Sequence, residues 1–300
     1  MNVDFNYGTL ASVLSAAEKS GLPVSALVLR QQAEQLETGE DEIYRRMAGN
    51  YRVMRECIGP GCEKDLRSTS GLTGGDAYRV KLAADAGKSL VGRPLSGALY
   101  RALAVSGLNA AMGRIVAAPT AGSCGILPAA VLTMQAEKKA AERACVMSLF
   151  TASAVGMVIA GAATLAGAEG GCQAECGSAS AMAAASVTEL AGGTPRMIGS
   201  AVAIALQNVL GLVCDPVAGL VEIPCILRNA SGVANAFVAA ELALDGVESA
   251  IPPDEVIRAM KKVGESMPPA LRETAEGGLA STPTAKRLRR QVFGGPDETD

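Results

Sequence analysis

Three hundred residues with eight cysteines and no histidine or tryptophan can bury a sizeable core in one large or two modest domains, but no Ser-His-Asp or Cys-His catalysis, His-bound zinc or His proton shuttle can be completed from this chain alone. Hydrophobic residues make up 49%, charged residues 19% and aromatics 3%, which excludes a disordered chain, while 54 alanines beside 34 glycines point to small side chains and close helix–helix packing. The net charge of -3 offers no basic field for nucleic acid.

Met1 to Asn6 lack the cationic start and apolar stretch of a signal peptide. Cysteines in a long chain of this kind are expected to be reduced, so a cytoplasmic location is expected. Leu10, Val13, Leu14 and Ala17 then recur at helical spacing until Gly21-Leu22-Pro23 breaks the pattern. A second helix is predicted from Pro23 or Val24 to Glu37, and a third from Glu40 onward. The Gly-Pro-Gly turn between Cys57 and Cys62 marks the expected boundary between an N-terminal helical segment (1–62) and the main domain (63–292). Beyond it, Gly-rich loops alternate with long Ala-rich segments, with almost no strand-like alternation and no fixed-period repeat. The expected fold is all-α, a multi-helix domain with buried central helices. Pro252-Pro253-Asp254 starts a further helix, a short basic helix is expected around Lys286 to Arg290, and residues 293–300 read as a frayed tail.

Cys145 to Ala168 is a run of 24 residues without a charge, long enough to span a bilayer, with Lys138, Lys139 and Arg143 on one side as a cytoplasmic flank would be. The run is rich in Ala, Gly, Ser and Thr rather than Leu and Ile, and from Cys145 to Ala250 only 10 of 106 residues are charged. A helix surrounded by other helices is apolar on every side, so a buried core helix is expected, with Gly156 and Gly161 at close helix crossings.

Two loops concentrate hydroxyls and glycines. Arg67 to Asp76, through Ser70-Gly71-Leu72-Thr73-Gly74-Gly75, can turn N–H groups toward an anion at a helix start. It lacks the Gly-Lys-Ser/Thr ending of a Walker loop and also reads as a plain helix start capped by Thr73 or Asp76. Ala118 to Pro128 carries Thr120, Ser123 and Cys124. Cys124 reads either as a nucleophile near a helix N-terminus or as a small buried residue in a tight turn.

The remaining cysteines invite a metal reading. Cys172 and Cys176 lie four residues apart, Cys214 precedes Asp215-Pro216, and Cys225 follows Pro224. They read as buried filler or, at breaks made by Gly and Pro, as soft ligands for zinc or an iron–sulfur cluster. Neither the paired C-x-x-C of a zinc ribbon nor a ferredoxin run is present.

Taken together, Ser70 to Gly75, Ala118 to Gly125, Gly171-Cys172-Gln173-Ala174-Glu175, and Cys214-Asp215-Pro216 through Ile223-Pro224-Cys225 resemble the motifs of the iron–sulfur L-serine dehydratases. More narrowly, they are similar to the separate α subunit of the two-chain bacterial type, over about residues 65 to 290. The resemblance implies an all-helical catalytic subunit that converts L-serine to pyruvate and ammonia, in amino-acid catabolism and gluconeogenesis. It also implies an oxygen-sensitive 4Fe–4S cluster on Cys172, Cys214 and Cys225, whose open iron acts as a Lewis acid toward the β-hydroxyl of serine. Loop chemistry and likeness together assign substrate binding to Ser70, Gly71, Thr73, Gly74, Thr120 and Ser123. Cys57, Cys62, Cys124, Cys145 and Cys176 then have structural or unassigned roles.

In the family the acid–base residue is a histidine of the β portion. The resemblance therefore implies a β subunit bringing that histidine, in an αβ heterodimer or a larger assembly. A chain acting alone would have to use Lys81, Glu169, Glu175 or Asp215. A pyridoxal-phosphate dehydratase would need a Schiff-base lysine, and no lysine lies between Lys139 and Lys261. The alternative from another class is a non-enzymatic helical scaffold, zinc-stapled or membrane-embedded.

Overall fold

The computed structural model describes residues 8–294. The chain is all-α, and its helices are α1 (Leu10–Ser20), α2 (Val24–Gln35), α3 (Glu40–Glu56), α4 (Ile58–Gly61), α5 (Asp76–Asp85), α6 (Gly92–Ala110) and α7 (Ile126–Lys138). These continue through α8 (Glu142–Ala162), α9 (Gly167–Gly170), α10 (Ser178–Leu190), α11 (Pro195–Gln207), α12 (Cys225–Leu244), α13 (Pro253–Ser266) and α14 (Pro283–Phe293). Among the described residues the only strand-like pairing is an isolated bridge between Cys214 and Arg272.

Local chemistry sets the helix ends. Thr9, Thr194 and Thr282 each accept a hydrogen bond from the N–H three residues on, starting α1, α11 and α14, which satisfies one of the donors a helix start leaves open. Leu10, Val13, Leu14 and Ala17 form the buried face of α1, and Gly21 ends it in the left-handed conformation at φ 66°. α2 stops at Gln35, short of the expected Glu37, which itself has φ 49°. The expected start at Pro252 stands as the N-cap of α13. Asp254 in the first turn of α13 accepts from the N–H groups of Leu10 (2.7 Å) and Ala11 (2.9 Å), so the C-terminal region caps the first helix.

The Gly-Pro-Gly stretch is helical rather than an open turn. α4 follows α3 through Cys57 and packs on α6, where a Cβ on Gly61 would stand 2.2 Å from the Ala104 carbonyl oxygen. α1 and α2 bury their apolar faces in the same core as the later helices, α2 against α8 and α1 against α11. The basic helix is α14, ending at Phe293, and 295–300 of the expected tail lie outside the described residues, as do Met1 to Asn6.

α10 is the central helix, buried from Ser178 to Thr188 and surrounded by α7, α8, α11 and α12. Its alanines let the neighbours approach, and its hydroxyls are used between helices: Ser186 donates to Ser148 of α8 (2.8 Å) and Ser180 to the Gly232 carbonyl of α12 (2.9 Å). α8 has the length and apolarity of a membrane span, but 67% of its apolar window is buried inside the protein, against α2, α3, α7 and α10. That is the environment of a core helix.

Gly156 and Gly161 differ. A Cβ on Gly156 would meet Met182 Sδ and Cε of α10 at 3.1 Å, whereas on Gly161 it would meet no described atom within 4 Å. The expected close crossing at Gly161 is therefore corrected, because that position faces outward near the end of α8. Gly156→Leu should lower stability by roughly 1–3 kcal/mol through overpacking. Gly161→Leu should leave stability unchanged or raise it by up to about 1 kcal/mol, since leucine favours a helix over glycine. Thermal melts of the two variants check the pair.

Candidate functional site

The three family-motif cysteines arrive on separate elements. Gly171, at φ 75°, turns the chain ahead of Cys172 where a Cβ would stand 2.7 Å from Met267 Sδ. Cys172 then opens a π-helical turn, Gln173–Gly177, that runs into α10, a kind of irregularity frequent at functional sites. Cys214 is held in extended backbone, its N–H donating to Leu271 O (2.9 Å) and its carbonyl accepting from Glu273 N (2.8 Å). Cys225 is the first residue of α12.

All three are buried, and all eight cysteines are free. Burial pushes the Cys214 and Cys225 thiols up, Cys225 to about 12, and the next cause for both is the negative charge of Cys172. Cys172 is held below the ordinary thiol range by a hydrogen bond from Cys176, with the Arg228 cation helping against burial. Cys176, the donor of that bond, is pushed well up. The three sulfurs thus share one electrostatic neighbourhood, with Cys176 beside one of them.

Cys124 lies elsewhere, beside Cys57, Val105 and Leu108. It is fully buried with its thiol pushed up to about 12 by burial, the state of a small core residue rather than a nucleophile. Cys145 lies against Tyr51.

Glu175 is a carboxylate at the cysteines. A Cβ on Gly167 would stand 2.9 Å from Glu175 Oε2 and 3.1 Å from Cys214 Sγ, and one on Gly122 would stand 3.3 Å from Glu175 Oε1. Two glycines therefore make room for the carboxylate, one of them also bordering a thiol. Burial raises the Glu175 carboxyl, a hydrogen bond with Thr120 opposes the rise, and the Glu273 charge adds to it. Thr120 and Ser123 hydroxyls are 3.0 Å apart, so when Thr120 donates to Glu175, Ser123 is the donor to Thr120.

α12 ties the second loop to Cys225. The fully buried Asn229 amide donates to Gly122 O (2.8 Å) and Cys225 O (2.9 Å) and accepts from Gly125 N (2.8 Å). One residue earlier, Arg228 pairs with Asp215 at 2.8 Å. Asn229 and Arg228 were not singled out by the motif reading, although Arg228 is one of few charges in a nearly uncharged stretch.

The first loop reaches the same region through one bond, Thr73 Oγ1 donating to the buried Glu222 at 2.8 Å, three residues before Cys225. Much of its donor capacity is used internally: Gly71 N donates to Ser68 O, Leu72 N to Ser70 Oγ and Thr73 N to Ser68 Oγ. Gly74 sits at φ 149° against Leu66 O. Thr120 is thus placed beside Glu175 with Ser123 hydrogen-bonded to it, while Ser70 and Gly71 shape the first loop and Thr73 anchors it.

Among the described residues no three His, Cys, Asp or Glu side chains stand closely enough to hold a single metal ion. The thiols of Cys172, Cys214 and Cys225 instead influence one another by charge from three separate elements. Three soft donors in a buried space bordered by bare glycine backbone fit a multi-iron cluster better than one tetrahedral zinc.

A family model described as "Serine dehydratase alpha chain" matches residues 19–280. The chain is similar to the "Probable L-serine dehydratase, alpha chain" of Bacillus subtilis, 46% identical over 289 residues and covering 96% of both chains. It is also similar to the "L-serine dehydratase, alpha chain" of Peptoniphilus asaccharolyticus, 47% identical over 286 residues, 95% of this chain and 98% of that one. Similarity to "L-serine dehydratase TdcG" of Escherichia coli is 35% over 290 residues, 93% of this chain and 62% of that protein.

Proposed function

Because this chain belongs to the serine dehydratase alpha chain family, we propose that it is the α subunit of an enzyme converting L-serine to pyruvate and ammonia, with a 4Fe–4S cluster held by Cys172, Cys214 and Cys225. The observation that carries the reading is the convergence of these three buried thiols beside Glu175 and the Thr120–Ser123 loop. Bound there, the cluster would supply Lewis acidity toward the β-hydroxyl of serine.

The chain's own residues do the rest of the positioning. Hydroxyls of Thr120 and Ser123, with the loop that Thr73 anchors on Glu222, offer polar partners for the amino-acid head group. Asn229 fixes the Thr120–Ser123 loop relative to Cys225, so substrate and ligand segments keep one geometry. Burial of the thiols helps to keep water from the reacting carbon. Removal of the α-proton and loss of water give aminoacrylate, which tautomerises and hydrolyses to the products. The base for that proton belongs, in this reading, to a histidine-bearing β subunit, supported by the "alpha chain" names of the relatives and by a chain without histidine.

The test is anaerobic purification with the β partner. Brown protein with iron and acid-labile sulfide in equal amounts, forming pyruvate from L-serine, is expected. Colourless protein containing zinc and inert toward serine would instead establish the scaffold alternative.

A further inference from the structure

Arg228 stands three residues into α12 from Cys225, and its side chain is largely buried, 16% exposed against 4% for its partner Asp215. Its Nη1 donates to the Val213 carbonyl at 2.8 Å and its Nη2 to Asp215 Oδ1 at 2.8 Å, the two residues that flank Cys214. Asp215 is itself fixed from the other side, where Oδ2 accepts from Leu279 N at 2.7 Å. The positive charge of the Arg228 guanidinium also favours the Cys172 thiolate. One side chain on the Cys225 helix therefore grips the Cys214 segment on both sides, with its charge felt at the Cys172 sulfur.

Resting on the iron–sulfur reading above, we propose that Arg228 is a positioning residue that ties the Cys214 segment to the Cys225 helix and supplies positive charge beside the cysteine sulfurs. A buried ion pair is a poor stability device, because taking two charges out of water offsets their attraction. Its use here follows from shape and sign. Arginine presents five donors in a rigid fork, so it serves several acceptors at once, whereas lysine is a single mobile point charge. Three thiolates gathered in a buried space repel one another, and the Arg228 cation counters that repulsion. Outer partners of metal ligands commonly govern both ligand orientation and metal retention.

The experiment compares the wild-type full chain with Arg228→Met and Arg228→Lys, each reconstituted anaerobically with iron and sulfide. Three quantities are read: iron and sulfide per chain, the rate of iron loss to a ferrous chelator, and the reduction potential of the cluster. Arg228→Met should lose iron roughly 10- to 100-fold faster and show a more negative potential, since removing a nearby cation disfavours adding an electron. Arg228→Lys should bring the potential back toward wild type but not the chelator resistance, because an ammonium lacks the planar fork that holds Val213 O and Asp215 Oδ1 on separate nitrogens. A Met variant matching wild type in both rate and potential overturns the proposal. Should that variant fail to fold, a Lys variant with wild-type chelator resistance overturns it equally. Wild-type chain that takes up no iron and sulfide would sink the iron–sulfur reading and this inference with it. Loaded wild type with unchanged variants would sink the role of Arg228 alone.

Discussion

Loaded with its cluster under anaerobic conditions, the chain alone should turn over L-serine roughly 10²–10⁴-fold more slowly than the same chain with a histidine-bearing β partner, the usual worth of a positioned general base. Help at the β-hydroxyl leaves the α-proton in place, and the chain has no histidine to take it. Its other candidates are mostly engaged. Lys81 lies on α5 paired with Asp85 at 2.6 Å, and Glu169 accepts from Thr164 at 2.6 Å on the surface. Both oxygens of Asp215 are occupied, by Arg228 and by Leu279 N. Glu175, like Asp215, stands at the cysteines, and among the described residues no cation pairs with it. The measurement is pyruvate formation by the reconstituted chain with and without its partner. Equal rates in both samples would place the base on this chain and direct attention to Glu175.

The helical class and the positions of helix starts were legible because their causes are local. The starts of α2, α3 and α13 follow from residues within a turn of them, and the buried face of α1 follows from a spacing of three and four. The orientation of α8 was not legible. A helix apolar all round has no stripe to mark which face meets its neighbours, so Gly156 at the α10 crossing and Gly161 at the surface look alike in sequence.

The site divides along the same line. The motifs located the cysteines and the Thr120–Ser123 loop, whose residue types declare their chemistry. They could not show that Gly71, Leu72 and Thr73 spend their N–H groups inside their own loop, since donor capacity is visible in sequence and its partner is not. Asn229 and Arg228 act across more than a dozen residues, on Gly122 and Val213. The one signal available for Arg228 was a charge three residues from a cysteine in an otherwise nearly uncharged stretch.

Among single substitutions of the cysteines, Cys172→Ser, Cys214→Ser and Cys225→Ser should each abolish most of the brown chromophore, and Cys176→Ser should keep most of it. A hydroxyl is a hard donor that poorly replaces thiolate on iron, and each of the three segments supplies one sulfur that the others cannot reach around to replace. Cys176 has the burial and proximity of a ligand but a different bonding role. Its thiol is pushed well above the ordinary range by Cys172 and by burial, which disfavours the thiolate that iron binds. A serine there keeps a small neutral group beside Cys172, which is why the colour should survive. Cys124→Ser, far from the trio beside Cys57 and Val105, should affect packing and leave the chromophore in place. Iron and sulfide content and the visible spectrum of each reconstituted variant decide the matter. A set in which Cys176→Ser bleaches while Cys172→Ser stays brown would exchange the two roles, making Cys176 the ligand and Cys172 its neighbour on the π-helical turn.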